Sequence, residues 1–353
     1  MKNILKLCCK CFFATLIIFF VSCNSKETFL NKFKKTINIK HQTIQLKNNT
    51  FFSKVWNLYL SNDCLIAYDV DEKYYFSIID LNKKSIVAKC GVKGQGPNEI
   101  IGMPQSVKIL GNNRFSFIDC NRGALYYVDF STATRPKIIK NDMLKLSFKH
   151  FGVLPTAYNN YLIIGLLDNG RYSLVDQNGK EISNHFEYPR STETEKFTNY
   201  HKAMAFQGSF IGRPDGIRFF FAGKTSEIID ILEIDNKNGI KKIFNWQGKL
   251  ARFLPFGDGN NTISVATSKE SNNVFINACC TQKYIYLLYS GLPIGNQMIY
   301  RSNTVFVLDW DGNPVKKYNL DIGVTCITVS DENKELYAIS EQSDTQLVKF
   351  NLQ

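Results

Sequence analysis

Gly91, Gly94 and Gly96 stand close enough in the chain to suggest a glycine-rich phosphate cradle. A dinucleotide fingerprint must open a helix at its last glycine. Here Pro97 follows Gly96 at once, and residues 98–102 carry no amphipathic helical pattern. Gly94, Gly96, Pro97 and Glu99 therefore read as a tight structural turn, with the Glu99 carboxylate capping backbone amides. Asp309-Trp310-Asp311-Gly312-Asn313 offers half the oxygen ligands of a calcium loop. Val315-Lys316-Lys317 follows where further ligands and a closing glutamate belong, so this too reads as a turn. The four histidines, His41, His150, His185 and His201, show neither H-x-H nor H-E-x-x-H spacing, and no G-x-S-x-G elbow exists. The sequence assigns no catalytic residue, no metal site and no cofactor.

The cysteines divide into two groups. Lys2, Lys6 and Lys10 precede an uncharged, mostly apolar run from Cys11 to Val21, and Ser22-Cys23 follows it. A basic stretch, a short apolar core and a small residue before the cut form a secretion signal. Cys23, directly after that small residue, is the thiol to which a diacylglyceryl thioether would attach. Phe20 departs from the leucine usual at the third position before such a cysteine. The apolar run has eleven residues, while a membrane-spanning helix needs about 20. Residues 1–22 are thus expected to be a lipoprotein signal peptide and 23–35 a polar tether.

Six cysteines follow: Cys64, Cys90, Cys120, Cys279, Cys280 and Cys326. An even count in an exported chain permits disulfides. Most of them lie alone in strand-like apolar runs, where a free thiol behaves as a small hydrophobe, and buried free thiols are expected. No C-x-x-C pair occurs after Cys23, which leaves zinc and redox motifs without support.

The formal net charge is +12, and loss of three leader lysines with residues 1–22 lowers it to +9. In an exported protein this excess does not point to nucleic acid. Anionic lipid headgroups or acidic envelope glycans are the counterparts it could meet, although the positive residues are spread rather than blocked.

From about residue 36 onward, short Val, Ile, Tyr, Phe and Leu runs alternate with Asn, Asp, Gly and Lys turns, the pattern of strands. Only residues 141–151 and 192–205 leave room for a short helix. A strand ending in an aliphatic residue plus Asp recurs at Asp80, Asp129, Asp176, Asp235 and Asp309, with a degenerate copy at Phe350-Asn351. The spacings are 49, 47, 59, 74 and 42 residues. Strand-built periods of this length mark propeller blades, and six copies predict an all-β, six-bladed β-propeller over residues 36–353. A β-sandwich of this size would need two domains and a linker, and none is visible. Residues 322–352 hold three strands, so the alternating segment Thr36–Lys47 is expected to supply the fourth and close the last blade.

At Cys90–Ile100 the chain resembles the TolB-like six-bladed β-propeller lipoproteins of Bacteroidota, which carry a similar Gly-x-Gly-Pro-x-Glu turn after the first blade. The likeness extends to the signal, the Asp-ended hairpins and the Arg-Phe-Phe-Phe-Ala run at 218–222. It implies a periplasmic or surface-exposed propeller and carries over no catalytic residue.

Two stretches read as insertions able to bind a ligand: Gly208–Gly216, with Arg213 and Asp215, and Ser290–Asn303, with Tyr300 and Arg301. The second is taken to account for most of the 74-residue spacing. The function read from the sequence is a membrane-tethered binding or scaffold module for an envelope glycan, peptide or protein, acting as a monomer in the outer-membrane envelope. The alternative is a propeller hydrolase or lyase acting on an envelope or dietary polymer.

Overall fold

The structure, a computed structural model, describes residues 29–47, 52–119, 121–132, 135–141, 144–146, 149–192, 194–256, 264–342 and 344–352. Cys23, the signal peptide and Cys120 lie outside the described residues. Two units are distinguished. The described part of the first is a 3-10 turn, Phe29–Lys32, and the second runs from Phe33 to the C-terminus.

The second unit is a six-bladed β-propeller. It begins with β1 (Thr36–Ile39) and β2 (His41–Thr43). Blade 1 is β3 (Val55–Ser61), β4 (Cys64–Asp69), β5 (Tyr74–Asp80) and β6 (Ser85–Val92). Blade 2 is β7 (Pro104–Gly111), β8 (Arg114–Asp119), β9 (Ala124–Asp129) and β10 (Lys137–Asn141). Blade 3 is β11 (His150–Pro155), β12 (Tyr161–Gly165), β13 (Tyr172–Val175) and β14 (Glu181–His185). Helix α1 (Asn199–Ala205) then leads to blade 4, β15 (Gly208–Gly212), β16 (Arg218–Gly223), β17 (Ile228–Ile234) and β18 (Ile240–Gln247). A separate hairpin, β19 (Phe253–Phe256) and β20 (Ser264–Thr267), precedes blade 5. That blade is β21 (Asn272–Cys280), β22 (Tyr284–Pro293), β23 (Ser302–Asp309) and β24 (Pro314–Val324). Blade 6 has β25 (Cys326–Val329), β26 (Glu335–Glu341) and β27 (Thr345–Asn351), and its fourth strand is β2. The first strands touch in the order β3, β7, β11, β15, β21 and β25, and β25 returns to β3, so the ring is closed.

The Asp repeat marks one structural position. Asp80, Asp129 and Asp309 end the third strand of their blades, and Asp176 and Asp235 directly follow it. Each side chain accepts a hydrogen bond from the amide two residues on: Asn82, Ser131, Asn178, Lys237 and Asp311, at 2.8–3.0 Å. These Asx turns reverse the chain into the fourth strand. Asn351 has no such hairpin because the fourth strand of its blade comes from the other end of the chain.

That closure uses only part of Thr36–Lys47. β2 pairs antiparallel with β27, His41 opposite Phe350, whereas β1 runs parallel to β24 as a fifth strand of blade 5. The packed chain also starts earlier than position 36. Phe33 is buried with its ring 4.5 Å from that of Phe306, and Lys35 O accepts from Lys317 N.

The second and third strands are apolar on both faces because each blade is covered by two neighbours; β12 (YLIIG) is buried throughout. Separate clusters fill the gaps between blades. Between blades 1 and 2, Phe76 meets Phe115 edge-on at 5.2 Å, and Phe117 stacks on Tyr126 at 5.3 Å. Between blades 3 and 4, Tyr172 and Leu174 join Phe219, Phe221 and Leu232. Helix α1 occupies the end of the second stretch left open for a helix, capped by Thr198 Oγ1, which accepts from His201 N. The described residues of 141–151 hold no helix: Asn141 ends β10, His150 and Phe151 begin β11, and Leu144 and Leu146 pack between them into the cluster of Leu125, Val153 and Ile163.

Candidate functional site

The glycine-rich turn crosses from β6 to β7, between blades 1 and 2. Glu99 Oε2 accepts from Gly96 N at 2.8 Å, and Arg122 Nη2 donates to the carbonyls of Gln95 and Gly96 at 2.8 and 2.9 Å. Gly94 adopts φ +152°, and a Cβ there would sit 2.0 Å from Glu99 Oε2. The carboxylate thus fills the space that glycine leaves. Asp119, at the end of β8, grips the same crossing through the amides of Ile101 and Gly102 at 2.8 and 3.0 Å. Asp69, at the end of β4, does the same for Ser53 and Lys54 before β3. This pair is a second Asp repeat, 50 residues apart, that the third-strand pattern overshadowed.

The two proposed binding stretches are not what their composition suggested. Gly208–Gly212 is β15, the inner strand of blade 4, and residues 213–217 are its turn into β16. Phe210 is a strand residue packing on the core, not an insertion residue. Arg213 and Asp215 pair with each other, Nε to Oδ2 at 2.8 Å, and Asp215 also accepts from Gln282 at 2.8 Å. Tyr300 and Arg301 lie between β22 and β23, at the opposite end of the strands. Tyr300 is exposed with Lys224 Nζ 5.1 Å from its ring, and the Arg301 stem covers Gly323. The structure therefore does not bring these four residues together. The 74-residue spacing arises mainly from residues 248–271, which carry β19 and β20, rather than from the loop holding Tyr300.

The inner strands are stitched to one another. Asn277 bridges Asn57 Oδ1 and Ile327 N, Ser106 Oγ accepts from Val153 N, and Lys108 Nζ donates to Pro155 O at 3.2 Å. Burial lowers the Lys108 pKa, against the pull of Cys280 and Asp215. Cys64, Cys90, Cys279, Cys280 and Cys326 are all free, and burial pushes Cys90, Cys280 and Cys326 up to about 12. Among the described residues, no three His, Cys, Asp or Glu side chains converge on a metal position. Ser183 Oγ lies 2.8 Å from His185 Nε2, but no carboxylate hydrogen-bonds that ring among the described residues.

A pocket of about 330 Å³ opens between blades 3 and 4. Arg171 enters it from the turn before β13, Tyr188 and Arg190 from the crossing after β14, and Lys242, Asn245 and Gln247 from β18. At its floor Arg171 is 3% exposed, and its Nη1 lies 2.6 Å from Asp230 Oδ2 on β17. Tyr172 Oη donates to the same oxygen at 2.7 Å, Asn245 Nδ2 donates to Asp230 Oδ1 at 2.7 Å, and Lys242 Nζ is 3.3 Å away. Burial alone would raise the Asp230 pKa. Arg171, Lys242 and the two hydrogen bonds outweigh it and hold the carboxyl ionised, below its ordinary value. The guanidinium also lies 4.2 Å from the Phe221 ring. Its Nη2 is buried without a hydrogen-bond partner among the described residues.

The chain matches, over residues 32–332, the family described as TolB-like 6-blade propeller-like. It belongs to that family. Solved structures similar to this TolB-like propeller include a putative exported protein of Bacteroides fragilis, 14% identical, with TM-score 0.50 over 89% of this chain and 98% of that one. A DUF4221-family member from Bacteroides vulgatus is 10% identical, with TM-score 0.52 over 89% and 96%. Among curated proteins no match was found. At these identities the structural likeness concerns the fold alone.

Proposed function

We propose that this TolB-like propeller is a membrane-tethered, extracytoplasmic binding module for an acidic component of the cell envelope. The observation that carries this reading is the Arg171 pocket. It holds a buried guanidinium with one nitrogen unpartnered among the described residues, and Arg190 and Lys242 line the same space. A buried polar group without a partner is costly, and a ligand oxyanion would relieve that cost. The leader before Cys23, and the exported character given for the Bacteroides fragilis neighbour, support a location outside the cytoplasm. Attachment through a diacylglyceryl group at Cys23 would tether the propeller in the outer-membrane envelope, facing the periplasm or the surface.

Catalysis draws less support. Among the described residues the Ser183–His185 pair has no orienting carboxylate, and the inner strands spend polar side chains on one another. The test is capture of envelope components by the lipidated full-length protein, with protease shaving of intact cells to fix its exposure. Retention of an acidic envelope component, weakened by salt, is the expected result. Retention of nothing, or of neutral components only, overturns the reading.

A further inference from the structure

Resting on that reading, we infer that the Arg171 pocket takes the carboxylate of a monomer-sized sugar acid. Arg171 Nη1 is committed to Asp230, while Nη2 is sealed from solvent with no hydrogen-bond partner among the described residues; a small shift of the pocket wall would open it as the inner donor for an incoming oxygen. Arg171 cannot turn away from this role, because Asp230 and the Phe221 ring fix the plane of its guanidinium. Arg190 and Lys242 supply positive charge nearer solvent.

Charge selects the class of anion. Three cations, Arg171, Arg190 and Lys242, face two carboxylates, Asp230 and Glu187, and one positive charge remains. A carboxylate matches that remainder, whereas a phosphate brings about −1.5 to −2. Size points the same way. A volume of about 330 Å³ lies at the lower end of small-molecule sites, which span roughly 300–1,000 Å³. It suits one sugar residue rather than an oligomer. Asn245 and Gln247 line the pocket with amide groups of the kind that pair with hydroxyls.

Isothermal titration of the full chain with D-glucuronate and D-galacturonate tests this, with D-glucose, L-glutamate and inorganic phosphate as comparators. Saturable binding of a sugar acid, weakened by salt and absent for glucose, is expected. Arg190→Ala and Lys242→Ala should each weaken it by about tenfold, the scale of one lost hydrogen bond to a charged group. Glu187→Gln, which removes a like charge, should strengthen it about threefold. Arg171→Lys keeps a cation for Asp230 and should still abolish binding. If that variant does not fold, Arg190→Ala and Glu187→Gln decide the matter. Equal binding of glucose, tighter binding of phosphate or glutamate, or unchanged affinity in the Arg190 and Glu187 variants overturns the inference. The two readings fail separately. Envelope capture undiminished by Arg190→Ala removes the pocket but leaves the binding module, and sugar-acid binding without envelope capture does the reverse.

Discussion

Arg171 Nη1 and Asp230 Oδ2 lie 2.6 Å apart across the gap between blades 3 and 4, both side chains sealed from solvent. The pair joins two blades that also share an apolar cluster and polar contacts such as Asn160 Nδ2 donating to Asn238 Oδ1 at 2.7 Å. Removing one member strands the other in a medium that solvates charge poorly. Asp230→Asn should therefore destabilise the protein by about 3–5 kcal/mol, read as a lower urea midpoint at pH 7. An unchanged midpoint would show that Arg171 is satisfied without Asp230.

The same carboxyl sets an acid limit. Its folded pKa is lowered, so its stabilising contribution is complete above the unfolded value and is lost as pH falls through the folded one. Taking the unfolded value as about 3.9, the wild-type melting temperature should fall steeply below about pH 4. In Asp230→Asn that slope should be shallower, since one depressed carboxyl no longer takes up its proton. Melts between pH 3 and 7 compare the two proteins, and parallel curves would sink the assignment.

The free thiols predict slow chemistry. Burial raises Cys90 and Cys326 to about 12, and both are almost solvent-inaccessible. Since the thiolate is the nucleophile, neither should alkylate within an hour at pH 8 in the native protein. Both should react at once in guanidinium chloride, as peptide mass spectrometry would report. Rapid native labelling of either would mean that blade 1 or blade 6 opens.

The architecture was legible in the sequence because Asx turns impose a side-chain requirement that composition records. Asp80, Asp129, Asp176, Asp235 and Asp309 each had to accept an amide two residues on. The turn at Glu99 was legible for the same reason. The pocket was not, because its donors come from β18 and the flanks of β13 and β14, and the Asp230 carboxylate that accepts from three of its neighbours comes from β17, all brought together only when blades 3 and 4 pack. One signal was present: Asp230 interrupts the apolar run Ile228-Ile229-Asp230-Ile231-Leu232, and a carboxylate in a doubly covered strand requires a buried partner. The misplacement of Gly208–Gly216 has a simpler cause. Three glycines among polar residues resemble a loop, yet Gly208 and Gly212 lie in a strand that pairs closely with its neighbour: a Cβ at Gly208 would stand 2.0 Å from Ala222 O.

The glycine-rich turn separates backbone need from hydrogen bonding. Glu99→Gln keeps the shape but loses the charge facing Gly96 N, and should cost about 1 kcal/mol. Gly94→Ala must both adopt an unfavourable φ and displace the Glu99 carboxylate, so it should cost more than Glu99→Gln. Thermal melts of the two variants test the order. A Gly94→Ala protein as stable as wild type would show that the crossing between blades 1 and 2 rearranges freely.

The N-terminal segment completes blade 6 with β2 and, through β1, staples it to blade 5. β1 lies along β24 of blade 5, the chain steps across at Lys40, and β2 lies along β27 of blade 6. His41 fixes the step, its amide donating to Asp321 Oδ1 at 3.0 Å and its ring nitrogen lying 3.1 Å from the same carboxylate. Ile39 is buried at the junction. Burying that side chain is worth about 2 kcal/mol, and the short β2 ladder adds about 3 kcal/mol at roughly 1 kcal/mol for each hydrogen bond. At roughly 2 °C per kcal/mol for a domain of this size, deleting residues 33–47 should lower the melting temperature by about 10 °C. The deletion also bares the edge of β27, so the truncated protein should self-associate in light scattering. Ile39→Ala removes the apolar part while leaving the ladder, and should lower the melt by less than half as much without self-association. Equal losses in the two variants would place the closure in Ile39 alone, and no loss in the deletion would mean that the ring holds without its staple.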